Sequence, residues 1–599
     1  MTRRASHWVV AVALLVPLAA ARAATAEDCE GDVAVLVSPR APVAGEPVRV
    51  LAAGDGGPIG DLVVTDAADT VVASNDVRRM GGPPWSVAAA LAAPDAGRYR
   101  VAAMRDGRTV GCAHFEVAAA GARGRAANDA GSRSAWDRGS EALYSAWIER
   151  LFAAPPDQSL GFDQLQDVLV DPERNLLRDH LGLGEDDAPG ALGAPPDCAD
   201  LPYVLRTYFA SKTGLPVGFR KCTRGSASEP PRCGPMKVVT PSEGGDRRGW
   251  FGRVAREAMD TVHSGSARTA LADDATDFYP VALTRAALRP GTVYADPYGH
   301  TLMIVEWVPP SGDRGGMLLA VDAQPDNSVA RKRFWEGTFL FAADVPGAGP
   351  GFKAMRPLVA TGRGAPAPLA NAALDAASGF APFSLEQASL APEDFYARIG
   401  RLIDPDGLRP LQAYEEMLAA LVEQVQTRVD SVQRGEDWVR AHPGTVIDMP
   451  EGAAIFETIG PWEDYATPSR DLRLLIAIRV LLDLPERIER HPELYVLDGL
   501  PPFVARGAVE ERHRRAIEEQ TITYVRSDGS PWRLSLADLL DRRAALETAY
   551  DPNDCVEVRW GARADGDEAA TCRRRAPLDQ RTRMEQYRDW FHEGRRPSR

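Results

Sequence analysis

The chain has 599 residues, 45% of them hydrophobic, and a formal net charge of −15. Its length allows about three or four domains, and its hydrophobic fraction is typical of a globular protein with an ample core. Because phosphate binding needs a basic surface, the acidic balance argues against nucleic acid as the main partner.

The first residues predict export. Two arginines near the start precede an apolar run over 8–21, and small residues follow at positions that fit a signal-peptidase site. We therefore expect a signal peptide over 1–26 and a periplasmic or secreted location. The longest later apolar stretch, 472–484, contains three charged residues. It is too short and too charged to cross a bilayer, so we expect no integral membrane segment after signal removal.

Residues 27–118 show the pattern of a small β-sandwich. Short apolar runs at 34–37, 48–51 and 61–64 are separated by Gly, Pro and Asp, which favour turns. The alternation over 97–101 is that of a half-buried strand. The strand pattern resembles bacterial immunoglobulin-like modules. We interpret the segment as a spacer rather than a sugar-binding module, because no aromatic platform is evident.

Composition divides the rest of the chain at two points. Ala, Gly and Arg are enriched over 119–133, and Ala, Gly and Pro over 361–382, so we interpret both segments as linkers. Between them, 134–360 holds the residues suited to catalysis, and 383–599 is predicted to be mainly helical. The expected fold class is α+β.

Two stretches in the last region have apolar residues at helical spacing, 414–432 and 472–484. We expect Pro485 to end the second helix, because proline lacks the N–H that a helix interior needs. A short hairpin is expected over 445–462.

The chain has seven cysteines, and an odd number in an exported protein leaves one without a partner. Local spacing favours three disulfides, although sequence does not fix connectivity. The expected pairs are Cys29 with Cys112, Cys222 with Cys233, and Cys555 with Cys572. Cys198 then remains as a free thiol, which is shielded, linked to another chain, or used in chemistry.

Cys198 lies just ahead of a predicted helix over 203–212, for which Gly214 is a good stop. Either Asp197 caps this helix and Pro202 bends it, or Asp200 caps it with Pro202 in the first turn. Both place the sulfur near the positive end of the helix dipole, which favours a thiolate. Because the two nearby carboxylates disfavour a second negative charge, a partner base is needed.

His300 is the best candidate for that base among nine histidines. It opens a predicted strand, where its ring can project from a sheet edge toward a helix terminus. The next strand ends at Asp322, and a hairpin can bring this carboxylate beside His300 to fix the imidazole tautomer. Gln324 is the alternative orienting residue, and Glu306 is a weaker third choice.

The order of these residues resembles that of NlpC-type cell-wall cysteine peptidases, which belong to the papain-like group. The resemblance covers roughly residues 190–345 and rests on Asp197-Cys198-Ala199-Asp200 before a helix and on Pro290-Gly291 followed by Gly299-His300-Thr301. It implies a papain-like core with Cys198 as nucleophile, His300 as base and Asp322 as orienting residue. An aspartate as third member is more similar to transglutaminase-like proteins.

We therefore expect an exported thiol hydrolase that cleaves amide bonds, with cell-wall peptides as the substrate implied by the resemblance. A transglutaminase-like acyltransferase and a non-enzymatic envelope binding protein are the alternatives. No metal or cofactor is expected, because the sequence has no H-E-x-x-H, no C-x-x-C and no Gly-rich phosphate loop.

Overall fold

The computed structural model of this chain describes residues 31–75, 81–121, 135–187, 191, 195–226, 228–241, 247–312, 314–324, 327–342, 349–362, 364–458 and 460–597. The expected signal peptide, Cys29 and most of the first expected linker lie outside these residues. Strands and helices are largely segregated along the described chain, and the sheets are antiparallel, which confirms the α+β class.

The N-terminal region consists of two antiparallel sheets that share one core. Its strands are β1 Val33–Ser38, β2 Val48–Gly54, β3 Asp61–Asp66, β4 Val71–Ser74, β5 Trp85–Leu91, β6 Gly97–Arg105 and β7 Arg108–Val117. One sheet has the order β1-β2-β5 and the other β4-β3-β6-β7. Valines from both sheets, such as Val50 and Val101, are fully buried between them. The predicted β-sandwich is therefore present.

The middle of the chain is built around a seven-stranded antiparallel sheet. Its elements are α1 Arg138–Leu151, β8 Gly161–Phe162, α2 Leu165–Leu169, α3 Leu201–Thr213, β9 Val217–Cys222, β10 Cys233–Val239, α4 Trp250–Met259, β11 Phe278–Pro280, β12 Val293–Ala295, β13 Thr301–Val308, β14 Met317–Ala323, β15 Val329–Arg333, β16 Gly351–Met355, β17 Leu358–Val359 and β18 Ala367–Pro368. The strand order in the sheet is β11-β16-β12-β13-β14-β15-β8. Helix α3 is the predicted helix that follows Cys198.

Both faces of this sheet are buried, because successive side chains point to opposite sides of a strand. Met303 on β13 packs in one core with α1, α3 and α4, whereas its neighbour Leu302 packs in a second core. The second core includes Phe395 and Ile399 from α5, Pro392–Ile403. A helix from the C-terminal part of the chain thus covers the sheet face opposite α3.

The remaining C-terminal region is mainly helical, as predicted. Its elements are α6 Pro410–Ala441, α7 Pro461–Tyr465, α8 Pro468–Arg490, α9 Pro502–Glu519, β19 Thr521–Val525, β20 Pro531–Ser535, α10 Leu536–Asp541, α11 Arg543–Leu546, α12 Val556–Arg559, α13 Leu578–Gln586 and α14 Arg588–Glu593. Its own core is formed chiefly by α6, α8 and α9 together with the segments that cross them.

Two local predictions in this region were wrong. Pro485 lies inside α8 instead of ending it, and the helix continues because Leu484 and Ile488 are buried on its core side. The described residues of 445–462 contain no strand. There Ile447 is buried, and its backbone N–H and carbonyl are both bonded by the side chain of Asn553, at 2.9 and 2.8 Å. The backbone of this buried residue is therefore satisfied without a neighbouring strand.

Two of the three predicted disulfides are present, Cys222–Cys233 and Cys555–Cys572. The third predicted pair includes Cys29, which lies outside the described residues. None of the helices in the described part of the chain combines the length and hydropathy that a membrane span requires.

Candidate functional site

A turn at the start of α3 positions Cys198. Asp197 Oδ1 accepts hydrogen bonds from the backbone N–H groups of Ala199 and Asp200 at 2.8 and 3.0 Å. Asp200 then occupies the capping position and Pro202 the first helical turn, so the second of the two predicted starts is the observed one. Gly214 ends the helix with a φ of 82°, a backbone conformation that glycine adopts without strain.

The Cys198 thiol is free and half-buried. Burial raises its pKa above the usual range, Asp197 adds to the rise, and the backbone N–H of Thr301 acts in the opposite direction. Burial and the charge of Asp197 thus oppose the thiolate that the helix dipole was expected to favour. The thiol is neutral at rest, and its ionisation requires a base that takes the proton.

The turn that carries His300 is held by a buried carboxylate. Asp296 Oδ1 accepts from the backbone N–H groups of Tyr298 and His300, at 2.5 and 3.4 Å, and Asp296 N–H donates to the His300 carbonyl at 2.9 Å. Gly299 has a φ of +101°, and a Cβ at this position would collide with Glu457. The Asp-Pro-Tyr-Gly sequence thus forms a tight turn that only glycine completes.

His300 and Asp322 form a direct pair, in which His300 Nε2 lies 3.0 Å from Asp322 Oδ2. Gln324 Nε2 donates to the same carboxylate oxygen, so Gln324 orients Asp322 and Asp322 orients the ring. Burial acts to raise the pKa of Asp322. The positive charge of Lys332, followed by the contact with His300, outweighs burial and holds this pKa below its usual value. Glu306 instead lies 3.5 Å from Arg331.

Cys198, His300, Asp322 and Gln324 all line one cavity of about 690 Å³. No hydrogen bond joins Cys198 Sγ to His300 among the described residues, and the Nε2 contact with Asp322 leaves Nδ1 as the nitrogen able to serve the thiol. Catalytic hydrogen bonds are often long in a free enzyme and shorten when substrate binds.

The C-terminal helical region forms the opposite wall of this cavity. From α8, Arg470 donates to Gln324 Oε1 at 3.2 Å, and Arg473 forms an ion pair with Asp296. Near the end of the chain, Arg596 donates to the carbonyl of Tyr298. Three arginines from the last third of the chain therefore hold the two loops that carry His300 and Gln324.

Sequence reasoning missed these supporting residues. Asp296 could have been suspected, because Asp-Pro followed by Gly is a turn pattern and aspartate often bonds the backbone two residues on. Arg470, Arg473 and Arg596 carry no local pattern, since the chain uses arginine for nearly all of its basic residues. Only long-range packing of α8 and of the segment after α14 brings them to the cavity.

No protein-family model, curated protein or solved structure matches this chain. The resemblance to NlpC-type peptidases therefore depends on the short motifs around Cys198 and His300. What the fold adds is the pairing of His300 with Asp322 in one cavity with the free thiol.

Two acidic or sulfur-containing clusters outside the cavity have the spacing of metal ligands, but both are already engaged. Lys212 Nζ binds Glu185 and Asp186 at 2.6 and 2.7 Å in the first cluster. The second contains the sulfurs of the Cys555–Cys572 disulfide. Within the cavity the chemistry available is that of a thiol, an imidazole and a carboxylate, which together suit nucleophilic acyl transfer.

Proposed function

We propose that this protein is a thiol-dependent hydrolase of amide bonds, with Cys198 as nucleophile, His300 as base and Asp322 as orienting residue. The observation that carries the proposal is the 3.0 Å contact between His300 Nε2 and Asp322 in the cavity that the free Cys198 lines. A buried carboxylate on one ring nitrogen leaves the other to accept a proton and stabilises the imidazolium that results.

In the proposed reaction, His300 Nδ1 takes the proton of Cys198 as the sulfur attacks the amide carbonyl carbon. The imidazolium returns this proton to the leaving amine when the C–N bond breaks, and a thioester remains on Cys198. His300 then removes a proton from water, whose oxygen attacks the thioester, releasing a carboxylic acid and restoring the thiol. The raised pKa of Cys198 requires this coupling, because a neutral thiol is a poor nucleophile.

The substrate class is proposed from compartment and resemblance. Disulfides favour an oxidising compartment outside the cytosol. We propose peptides of the cell wall in the periplasm or at the cell surface, and the experiment is release of new amino groups from purified peptidoglycan, with Cys198→Ala as control.

The acyl step can be tested without knowing the substrate. p-Nitrophenyl acetate should give a burst of p-nitrophenol and one acetyl group on Cys198, detected by mass spectrometry. The His300→Ala variant should slow this burst about 100-fold or more. If Cys198 is acylated at the rate of free cysteine, and His300→Ala does not change that rate, the proposal is contradicted and a non-enzymatic binding protein is favoured.

A transglutaminase-like acyltransferase is the second candidate, because the residue on His300 is an aspartate. Added glycine ethyl ester separates the two: a transferase converts the acetyl-enzyme to N-acetylglycine ethyl ester, whereas a hydrolase still releases acetate.

A further inference from the structure

A lysine in the cavity of the candidate catalytic residues has an ammonium group that no described carboxylate contacts. Lys332 lies on β15, half-buried, and lines the same cavity as Cys198 and His300. In the part of the chain that the structure describes, its ammonium group makes no hydrogen bond or ion pair. Its positive charge lowers the pKa of Asp322 without a direct contact between the two side chains.

Strand register explains this position. Lys332 pairs with Ala320 across β14 and β15, and Asp322 pairs with Ala330. Lys332 and Asp322 therefore lie diagonally on the same sheet face, about 7–8 Å apart by the usual spacing of such neighbours. An anion bound at Lys332 would therefore lie in the same cavity as Cys198 and His300.

Two other cations of the cavity wall differ from Lys332, because each is paired with a carboxylate. Arg473 forms an ion pair with Asp296, and Arg596 lies 3.6 Å from Glu457. A half-buried ammonium without an anion pays a desolvation cost that a bound anion would offset. Removal of Lys332 leaves no described carboxylate without its partner, so the residue is not needed to complete an ion pair in the fold.

We propose that Lys332 binds a carboxylate of the substrate and so selects peptides with a negative charge close to the scissile bond. This inference rests on the proposed function, because it concerns the substrate that Cys198 would attack. The carboxylate can belong to the chain terminus or to an acidic side chain, and both sources present the same group to the ammonium.

Two alkylating reagents of nearly equal size provide the test, since iodoacetate carries a carboxylate and iodoacetamide does not. In both reactions Sγ forms a thioether, iodide leaves, and the thiol proton passes to His300 or solvent. The measured quantity is the ratio of the iodoacetate rate constant to that of iodoacetamide at Cys198. We expect Lys332→Gln to lower this ratio about three- to tenfold, as the loss of one charge contact with the carboxylate of the reagent predicts in a water-filled cavity.

Three controls keep the result interpretable. Lys332→Arg retains the charge and should keep most of the ratio, which guards against a folding defect. Lys221→Gln removes an exposed lysine outside the cavity and should leave the ratio unchanged. High salt should reduce the wild-type ratio toward that of Lys332→Gln.

Protection experiments separate the two sources of carboxylate. N-acetylglycine offers a terminal carboxylate, the α-amide of N-acetylglutamate a side-chain one, and N-acetylglycinamide neither. Slower alkylation with the first or second compound, and not with the third, supports the site and names its source. Equal protection by all three, or a ratio that Lys332→Gln does not change, overturns it. A His300→Ala variant without effect on either rate would instead contradict the proposed function.

Discussion

The ion pair between Arg473 and Asp296 should decide whether the turn that carries His300 stays in place. Asp296 is fully buried and Arg473 is 15% exposed. Burial acts to raise the pKa of Asp296. The charges of Arg473 and, second, Arg596 outweigh burial and hold this pKa below its usual value. The perturbation that isolates this pair is Arg473→Met, which keeps the apolar stem of the side chain and removes the charge.

Proton uptake by Asp296 sets an upper limit on the loss in free energy of unfolding that Arg473→Met can cause. A buried carboxylate that loses its main partner costs about 3–5 kcal/mol, unless it takes up a proton. Protonation of a group with an unfolded pKa near 3.9 costs about 1.4 kcal/mol for each pH unit above that value. The destabilisation by Arg473→Met should therefore reach at most about 4 kcal/mol at pH 7, and about 1.5 kcal/mol at pH 5.

The sign follows from the direction of each pKa. In the wild type, the lowered pKa of Asp296 contributes stability above the unfolded pKa, and this contribution is lost as pH falls. In Arg473→Met the folded pKa moves above the unfolded one, so the penalty grows as pH rises. The difference between the two proteins should widen from pH 4 to pH 7.

Urea unfolding of the full chain, followed by tryptophan fluorescence between pH 4 and pH 7.5, measures this difference. The double variant Arg473→Met with Asp296→Asn should lose most of the pH dependence. Arg479→Met is the matched control, because this exposed arginine of the same helix binds only backbone carbonyls, and its cost should be below about 1 kcal/mol. A loss below about 1 kcal/mol for Arg473→Met at every pH would refute the reasoning, since it would mean that Asp296 has another adequate partner.

Three further perturbations test other charges. Asp197→Asn should lower the pKa of Cys198 and speed its alkylation by iodoacetamide about two- to threefold at low salt; an unchanged rate would contradict the assigned influence of Asp197. Arg428 and Asp471 are 1% and 0% exposed, so Arg428→Met should cost about 3–5 kcal/mol in urea unfolding, and an unchanged midpoint would rule out this pair as a structural element. Burial lowers the pKa of Lys353 to about 7, so stability should rise between pH 7 and pH 10. Lys353→Met should remove that rise and stabilise the protein by about 4 kcal/mol at pH 7, which calorimetry would detect.

Local sequence patterns predicted the elements that carry the site. Gly214 marks the end of α3 because a left-handed backbone favours glycine, and Cys198 precedes that helix. His300 and Asp322 were paired from strand order alone, since the hairpin between β13 and β14 brings their ends together. Such inferences work because they depend on backbone geometry over short distances along the chain.

Elsewhere, local patterns of this kind predicted the wrong structure, because long-range packing outweighed them. Proline disfavours a helix interior, yet Pro485 lies within α8, since the buried residues around it outweigh one missing hydrogen bond. The backbone of Ile447 obtains its hydrogen bonds from the side chain of Asn553, 106 residues away, so this buried residue does not need a neighbouring strand. In each case tertiary burial overrode a local preference.

By itself, the sequence predicted the α+β class, two disulfides and the grouping of Cys198, His300 and Asp322, because covalent spacing and strand alternation act locally. The environment of that set was decided by tertiary structure. Arg473 reaches Asp296 across 177 residues and Arg596 reaches Tyr298 across 298. The resulting burial raises the pKa of Cys198. Desolvation and charge pairing depend on which surfaces meet in the folded chain, and no local pattern encodes that.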